Sequence, residues 1–130
     1  MLLLLISQLY AQTCFNITNF GAVADDATIN TQSIQKTIDA CAQKGGGIVF
    51  IPAGEFLSGT IQLRKNVTLY LDNGAVLKGS TNLNDYMLNG KRVGLIYTQD
   101  CDNVIIKGEG IIEGNGDTFQ YMDKRKIFKL

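Results

Sequence analysis

Phe20-Gly21-Ala22-Val23-Ala24-Asp25-Asp26 leads, through one amphipathic stretch, to Gly45-Gly46-Gly47-Ile48-Val49-Phe50-Ile51-Pro52-Ala53-Gly54. Between the two blocks Ile34, Ile38, Cys41 and Ala42 recur at i, i+4, i+7 and i+8, which puts them on one face of a helix. Asn30 or Thr31 is expected to cap its start, since either side-chain oxygen can accept from a free backbone N–H of the first turn. Gly45, directly after Lys44, supplies a left-handed stop. The helix is short, about three to four turns, and its apolar face needs something to cover. On the near side, Phe15 to Phe20 reads as a short strand entering the Gly21 turn. On the far side, Ile48 to Ile51 is a continuous apolar run ended by Pro52, the pattern of a buried strand.

Beyond this point the pattern is all strand. Val67, Leu69 and Leu71 alternate with Thr68 and Tyr70, the period-2 signature of a strand with one face buried. A self-similarity follows. Asn66-Val67-Thr68-Leu69 leads to Gly74-Ala75-Val76-Leu77-Lys78-Gly79, while Asn103-Val104-Ile105-Ile106 leads to Gly110-Ile111-Ile112-Glu113-Gly114, and single-residue gaps align the two units. Short strands repeating with polar or Gly corners point to stacked coils of a solenoid, each burying its inward residues against the next. A mostly antiparallel sandwich is the alternative. The helix ahead of the strands favours the solenoid, whose open end needs a cover. Leu83 to Arg92 reads as an irregular excursion between coils.

The 130 residues are one domain or part of one. Twelve basic and twelve acidic residues cancel, so no net field draws the chain to nucleic acid or membranes. Met1 to Ile6 is an apolar run, and Ala11 sits where a signal peptidase would cut, with Leu9 two positions earlier. Residues 1–11 are therefore expected to be a signal peptide and the protein secreted or periplasmic; a buried N-terminal strand or helix is the alternative. Six apolar residues are too few to span a bilayer, which takes about 20. Cys14, Cys41 and Cys101 form no CxxC pair, so no zinc site is expected. Cys41, on the apolar helix face, is expected to be a buried structural thiol. Export would permit one disulfide, and spacing does not choose its pair. Asn16-Ile17-Thr18 and Asn66-Val67-Thr68 match the glycosylation pattern, with Asn66 expected in a turn.

Each motif that suggests chemistry has a plainer structural account. Asp25-Asp26 looks like a carboxylate pair, but adjacent side chains rarely aim at one bond, and an Asx turn at helix entry explains them. Asp100-Cys101-Asp102-Asn103 lacks the Gly and distal Glu of a calcium loop and reads as a polar corner. Gly108-Glu109-Gly110 with Gly114 has the wrong spacing for a nucleotide loop, and Gly45-Gly46-Gly47 lacks the Lys-Ser/Thr of a P-loop. Lys124, Arg125, Lys126 and Lys129 form a basic cluster that would suit an anionic sugar polymer or a solvated tail. Tyr70, Tyr86, Tyr97, Phe119 and Tyr121 could stack on sugar rings, with outward-facing Tyr70 the best placed.

The blocks Phe20–Ala24, Thr31–Gly54, Asn66–Gly79 and Asn103–Gly116 resemble the opening segment of the pectin-degrading right-handed parallel β-helix enzymes, most closely the polygalacturonase-type glycoside hydrolases. The resemblance runs from about Ile17 to Gly116. It implies an all-β, right-handed parallel β-helix with an N-terminal capping α-helix, truncated, in which residues 12–130 supply the cap and first coils. That family hydrolyses α-1,4 bonds between galacturonate residues with inversion, so the implied partner is pectic polysaccharide. Inverting carboxyls stand about 6.5–9.5 Å apart to admit a water. The family's groups come from Asn-Thr-Asp, Asp-Asp, Gly-His-Gly and Arg-Ile-Lys motifs, downstream of the segment matched. In this sequence Asn30-Thr31 is followed by Gln32, His is absent, and Arg125-Lys126-Ile127 has the last motif's residues out of order. No catalytic, cofactor-binding or metal-binding residue carries over. The resemblance thus implies the N-terminal part of an enzyme whose machinery lies beyond Leu130, monomeric when complete. A non-catalytic polysaccharide-binding or structural β-helix module and a β-helix lyase are the alternatives.

Overall fold

A computed structural model describes residues 13–115 and the backbone of Phe128–Lys129. Strand β1 (Cys14–Asn16) and a 3-10 turn (Ile17–Phe20) precede helix α1 (Thr31–Gln43). Then come β2 (Gly47–Ile51), β3 (Gly54–Ser58), β4 (Ile61–Gln62), β5 (Val67–Leu71) and β6 (Ala75–Gly79). A second 3-10 turn (Leu83–Tyr86) leads to β7 (Met87–Leu88), β8 (Lys91–Arg92) and β9 (Ile96–Tyr97). The series closes with β10 (Ile105–Gly108), β11 (Ile111–Glu113) and β12 (Phe128–Lys129). The chain visits three walls in turn and returns. One sheet has the order β1-β2-β5-β10, a second β3-β6-β11 with β12 at its end, and a third β4-β9. Every pairing within these walls is parallel except β11 with β12. Parallel pairing between successive turns of the chain is what stacked coils require, and it removes the antiparallel sandwich.

The register explains the core. Val49 faces Leu69, which faces Ile106, and on the second wall Phe56 faces Leu77, which faces Ile112. Equal parity sends all of these inward, where Val49, Leu69, Phe56 and Leu77 are buried and Ile112 nearly so. Ile61 and Leu63 close the third side. Helix α1 packs against β1, β2 and β4, and its Ile34, Ile38 and Cys41 are fully buried. Ala42 is only half-buried, and Thr37 takes the remaining inward place, tolerated because its Oγ1 donates to Ser33 O at 2.8 Å. The helix also supplies β4 with a partner. The Gln35 amide accepts from Gln62 N (2.8 Å) and donates to Gln62 O (3.0 Å), as a neighbouring strand would.

Local differences from the sequence expectations have identifiable causes. Strand β1 ends at Asn16, because the Asn16 side chain accepts from Thr18 N at 2.9 Å and turns the chain into the 3-10 segment. Neither Asn30 nor Thr31 caps the helix with its side chain. Asn30 instead accepts from Val23 N (2.8 Å) and donates to the carbonyls of Val23, Thr28 and Leu57. Thr31 Oγ1 accepts from Gly59 N at 2.7 Å. Both side chains tie the entry turn and helix to the first coil. The helix does stop at Gly45, at φ +94°, with Gly45 N donating to Ala42 O and Gly46 N to Cys41 O, a Schellman arrangement. The segment from Leu83 to Arg92 is more regular than expected. It contains the antiparallel β7–β8 pair, joined by Asn89-Gly90 with positive φ at both residues.

The repeat is real, and its corner is shorter than the sequence alignment suggests. Gly108 faces Leu71 and Ile111 faces Val76, so Glu109 and Gly110 span between these positions what Asp72, Asn73, Gly74 and Ala75 span in the preceding coil. At the other corner Asn66 and Asn103 both take positive φ, and Asn103 Nδ2 donates to Asn66 Oδ1 at 3.2 Å.

These contacts set the expected effect of three substitutions on stability. Asn30→Ala should lower unfolding free energy by about 1–3 kcal/mol, since it removes a buried amide that bonds the backbone of Val23, Thr28 and Leu57; urea melts measure it. Gly45→Ala should cost only the left-handed backbone penalty, about 1–2 kcal/mol. Gly46→Ala should cost clearly more, because its Cβ would lie 2.3 Å from Asn66 O whereas Gly45 has nothing within 4 Å. Equal melting shifts for the two glycine variants would contradict the corner packing.

Candidate functional site

Where β6 ends, the chain leaves the second wall as Ser80-Thr81-Asn82 and enters the second 3-10 turn. The outer side of this departure forms a cleft of about 380 Å³. Asp26 borders it from the entry turn, Ile29 and Leu57 supply apolar surface, Lys78 comes from β6, and Asn115 follows β11. Asp85 and Asn82 come from the departing loop. A site assembled from three successive coils exists only because their strands are in register.

Its polar groups are held by one another. Lys78 Nζ lies 3.2 Å from both carboxylate oxygens of Asp26. The hydrogen bond to Asp26 holds the Lys78 ammonium above the ordinary lysine range against burial, and the fields of Asp26, Glu113 and Glu55 add to it. Both partners are partly solvated, with side chains 24% and 42% exposed, so the pair contributes at most about 1 kcal/mol. Ser80, itself buried, donates through Oγ to Asp85 Oδ2 and accepts from Asn82 N at 3.0 Å. Tyr86 Oη donates to Ser80 O at 2.5 Å. Burial, then the Asp85 charge, pushes the Tyr86 phenol up to about 12. Asn115 Nδ2 donates to Gly79 O at 3.0 Å. Fixed carboxylates and amides around an apolar patch suit hydroxyl-rich ligands. Among the described residues no three His, Cys, Asp or Glu side chains converge as metal ligands.

The two adjacent aspartates have separate tasks. Asp25 forms the expected Asx turn, accepting from Ala27 N (3.0 Å), Thr28 N (2.7 Å) and Thr28 Oγ1 (2.6 Å). These bonds, the Thr28 hydroxyl first, hold its carboxyl below the ordinary aspartate range. Asp26 leaves the turn at φ +53° and reaches Lys78. Sequence inspection missed Lys78, Ser80 and Asp85. The available signal was a polar run directly after an apolar strand, which any surface loop shares.

The other candidates are placed as follows. Tyr70 points outward and stacks on Phe50, centroids 6.0 Å apart and planes at 17°. Tyr86 is buried and unavailable to a sugar ring. Tyr97 is half-buried and donates to Gln99 Oε1. Asp100 and Asn103 take positive φ in a polar corner, as expected. Gly108 lies where a Cβ would come 2.0 Å from Leu71 O, a packing role. All three cysteines are free thiols; Cys41 is buried, and desolvation, then Cys14, raises its thiol. The expected signal peptide (residues 1–11), Phe119, Tyr121, and the basic cluster of Lys124, Arg125, Lys126 and the Lys129 side chain lie outside the described residues.

Thr28→Val should raise the Asp25 pKa toward the ordinary aspartate range. A depressed folded-state pKa contributes stability above the unfolded value and loses it as pH falls through the folded one, so the variant should narrow that acid-side dependence. Carboxyl NMR titration reads the shift, and an unchanged pKa would remove the Thr28 hydroxyl as its main cause.

With this geometry in place, the chain can be set beside known proteins. The family described as "Rhamnogalacturonase A/epimerase, pectate lyase-like" matches residues 14–121. An exo-poly-alpha-D-galacturonosidase of Dickeya chrysanthemi is 38% identical over 118 residues, 78% of this chain and 19% of that protein. The family 28 exopolygalacturonase of Yersinia enterocolitica superposes with a TM-score of 0.71 at 35% identity, over 81% of this chain and 21% of that one. A 42-residue stretch is 50% identical to mannuronan C5-epimerase AlgE3 of Azotobacter vinelandii, 32% of this chain and 2% of that protein. The chain spans about a fifth to a quarter of the length of the polygalacturonases it matches. It therefore belongs to the rhamnogalacturonase A/epimerase, pectate lyase-like family, and its sequence is of the polygalacturonase type.

Proposed function

We propose that this chain is the N-terminal part of a secreted glycoside hydrolase that cleaves α-1,4-galacturonosyl bonds of polygalacturonate by inverting acid–base hydrolysis. The observation that carries the reading is the 38% identity to the Dickeya exo-poly-alpha-D-galacturonosidase across 78% of this chain. In this reading the β-helix is right-handed, as parallel crossovers are in about 98% of cases. Helix α1 is its cap, supported by the three side chains it buries against the first coils. The acid and the water-activating carboxylates belong to later coils, and the apolar run Met1 to Ile6 supports export.

The second reading, a uronate C5-epimerase, rests on the 42-residue match to AlgE3. The two differ in product. Hydrolysis adds water across the glycosidic bond and frees a reducing end, whereas epimerisation inverts C5 and leaves the chain intact.

Replacing the matched segment of the Dickeya enzyme with residues 13–130 of this protein should give a folded chimera that releases reducing ends from polygalacturonate. Residues 13–130 alone should release none, since general acid–base catalysis, typically about 10²–10⁴-fold, has no assigned acid–base pair here. A chimera that is monomeric and melts cooperatively yet is inactive would overturn the proposal. Epimerised polymer without cleavage, from the longer protein of which this chain is the N-terminal part in this reading, would favour the second reading.

A further inference from the structure

Charge in the cleft beside β6 is unbalanced. Asp26 and Asp85 contribute two carboxylates and Lys78 one ammonium, and Glu55 and Glu113 add their fields at Lys78. Lys78 is already engaged by both oxygens of Asp26. Ser80 fixes the Asp85 carboxylate through Oδ2. An arriving carboxylate would meet net negative charge and a cation with a partner in place. A hydroxyl group would meet acceptors suited to it, and a sugar's C–H face would meet Ile29, which is 46% exposed, and Leu57. The volume, about 380 Å³, falls in the range of small-ligand pockets.

We infer that this cleft is a carbohydrate subsite for an uncharged galactopyranose-type residue, one whose C6 carboxyl is esterified or absent, and that it discriminates against the free galacturonate carboxylate. The inference rests on the pectic-polysaccharide reading above. It adds that this part of the protein reads the esterification state of the polymer. The acidic cleft holds neutral residues, and free galacturonate is recognised elsewhere on the enzyme.

Three probes share one ring stereochemistry and differ at C6: methyl α-D-galactopyranoside, methyl α-D-galactopyranosiduronic acid and its methyl ester. Titrated into the full 130-residue chain at pH 7, the galactoside and the ester should shift the amide signals of Asn82, Asp85 and Gly114 to saturation. The acid should bind about tenfold more weakly, a difference that shrinks in high salt because charges in an open cleft are screened. Asp85→Asn should bring acid and ester closer together. Asp26→Asn, in an exposed turn, should do so more strongly because it also releases Lys78. Acid binding as tight as ester binding in the unmodified chain overturns the inference. So do shifts that fail to saturate for every probe, or a preference untouched by both variants. An inactive chimera with polygalacturonate would count against the hydrolase reading and leave these titrations to be judged separately.

Discussion

An inward side chain in a coil one strand thick has no opposite sheet pressed against it within its own wall. Its cover along the solenoid axis comes from the equivalent residue one coil away, at the strand spacing of about 4.8 Å. The rows Val49–Leu69–Ile106 and Phe56–Leu77–Ile112 are this constraint made visible. Slipping any pair by one residue would turn a whole row outward. The corners inherit the same demand. Successive backbones stack so closely there that Gly46 sits 2.3 Å, at its would-be Cβ, from Asn66 O, and Gly108 sits 2.0 Å from Leu71 O. Beside β1 and β2 the row is covered by Ile34, Ile38 and Cys41 from the helix.

The same register determines what faces outward. Leu57 lies beside Lys78, and Lys78 beside Glu113, so the second wall presents an apolar, a basic and an acidic side chain in one row. Asp26 reaches that row from a turn 52 residues earlier. The cleft is thus a by-product of stacking before it is anything else. Its charge imbalance comes from an outward row and two loops meeting, with no specialised loop needed to build it.

Stacking also governs which features are legible in the amino-acid sequence. Parity is local, so the alternation of Val67, Leu69 and Leu71 and the repeat at Asn103 are legible, as are the helix face and its Gly45 stop. Partners distant in sequence are not. Asn30 has the composition of an N-cap, but Val23 N, in the entry turn, takes its side-chain oxygen, and its NH2 group reaches Leu57 O, 27 residues on. The same separation hides Gln35 serving as a strand partner to Gln62. Asn89-Gly90 is legible in principle as a hairpin dipeptide, but the strands around it are only two residues each, below the length at which alternation shows. Asp25-Asp26 is half legible: the Asx turn is a local bond, the ion pair a tertiary one.

The family resemblance divides along the same line. The blocks that carry it, Phe20–Ala24, Thr31–Gly54, Asn66–Gly79 and Asn103–Gly116, coincide with the entry turn, the helix with β2, the pair β5–β6, and the pair β10–β11. Those are the segments on which stacking bears hardest, where inward parity and corner glycines leave few acceptable residues. Chemistry on such a scaffold is placed on outward positions and loops, which stacking leaves comparatively free. A coil can therefore announce its family through its wall while carrying none of the family's acids. The parallel walls account for the likeness to the exopolygalacturonases, and the substrate has to be argued from outward groups. In the described residues Asp26, Lys78 and Asp85 are such groups, and they meet in one cleft with net negative charge.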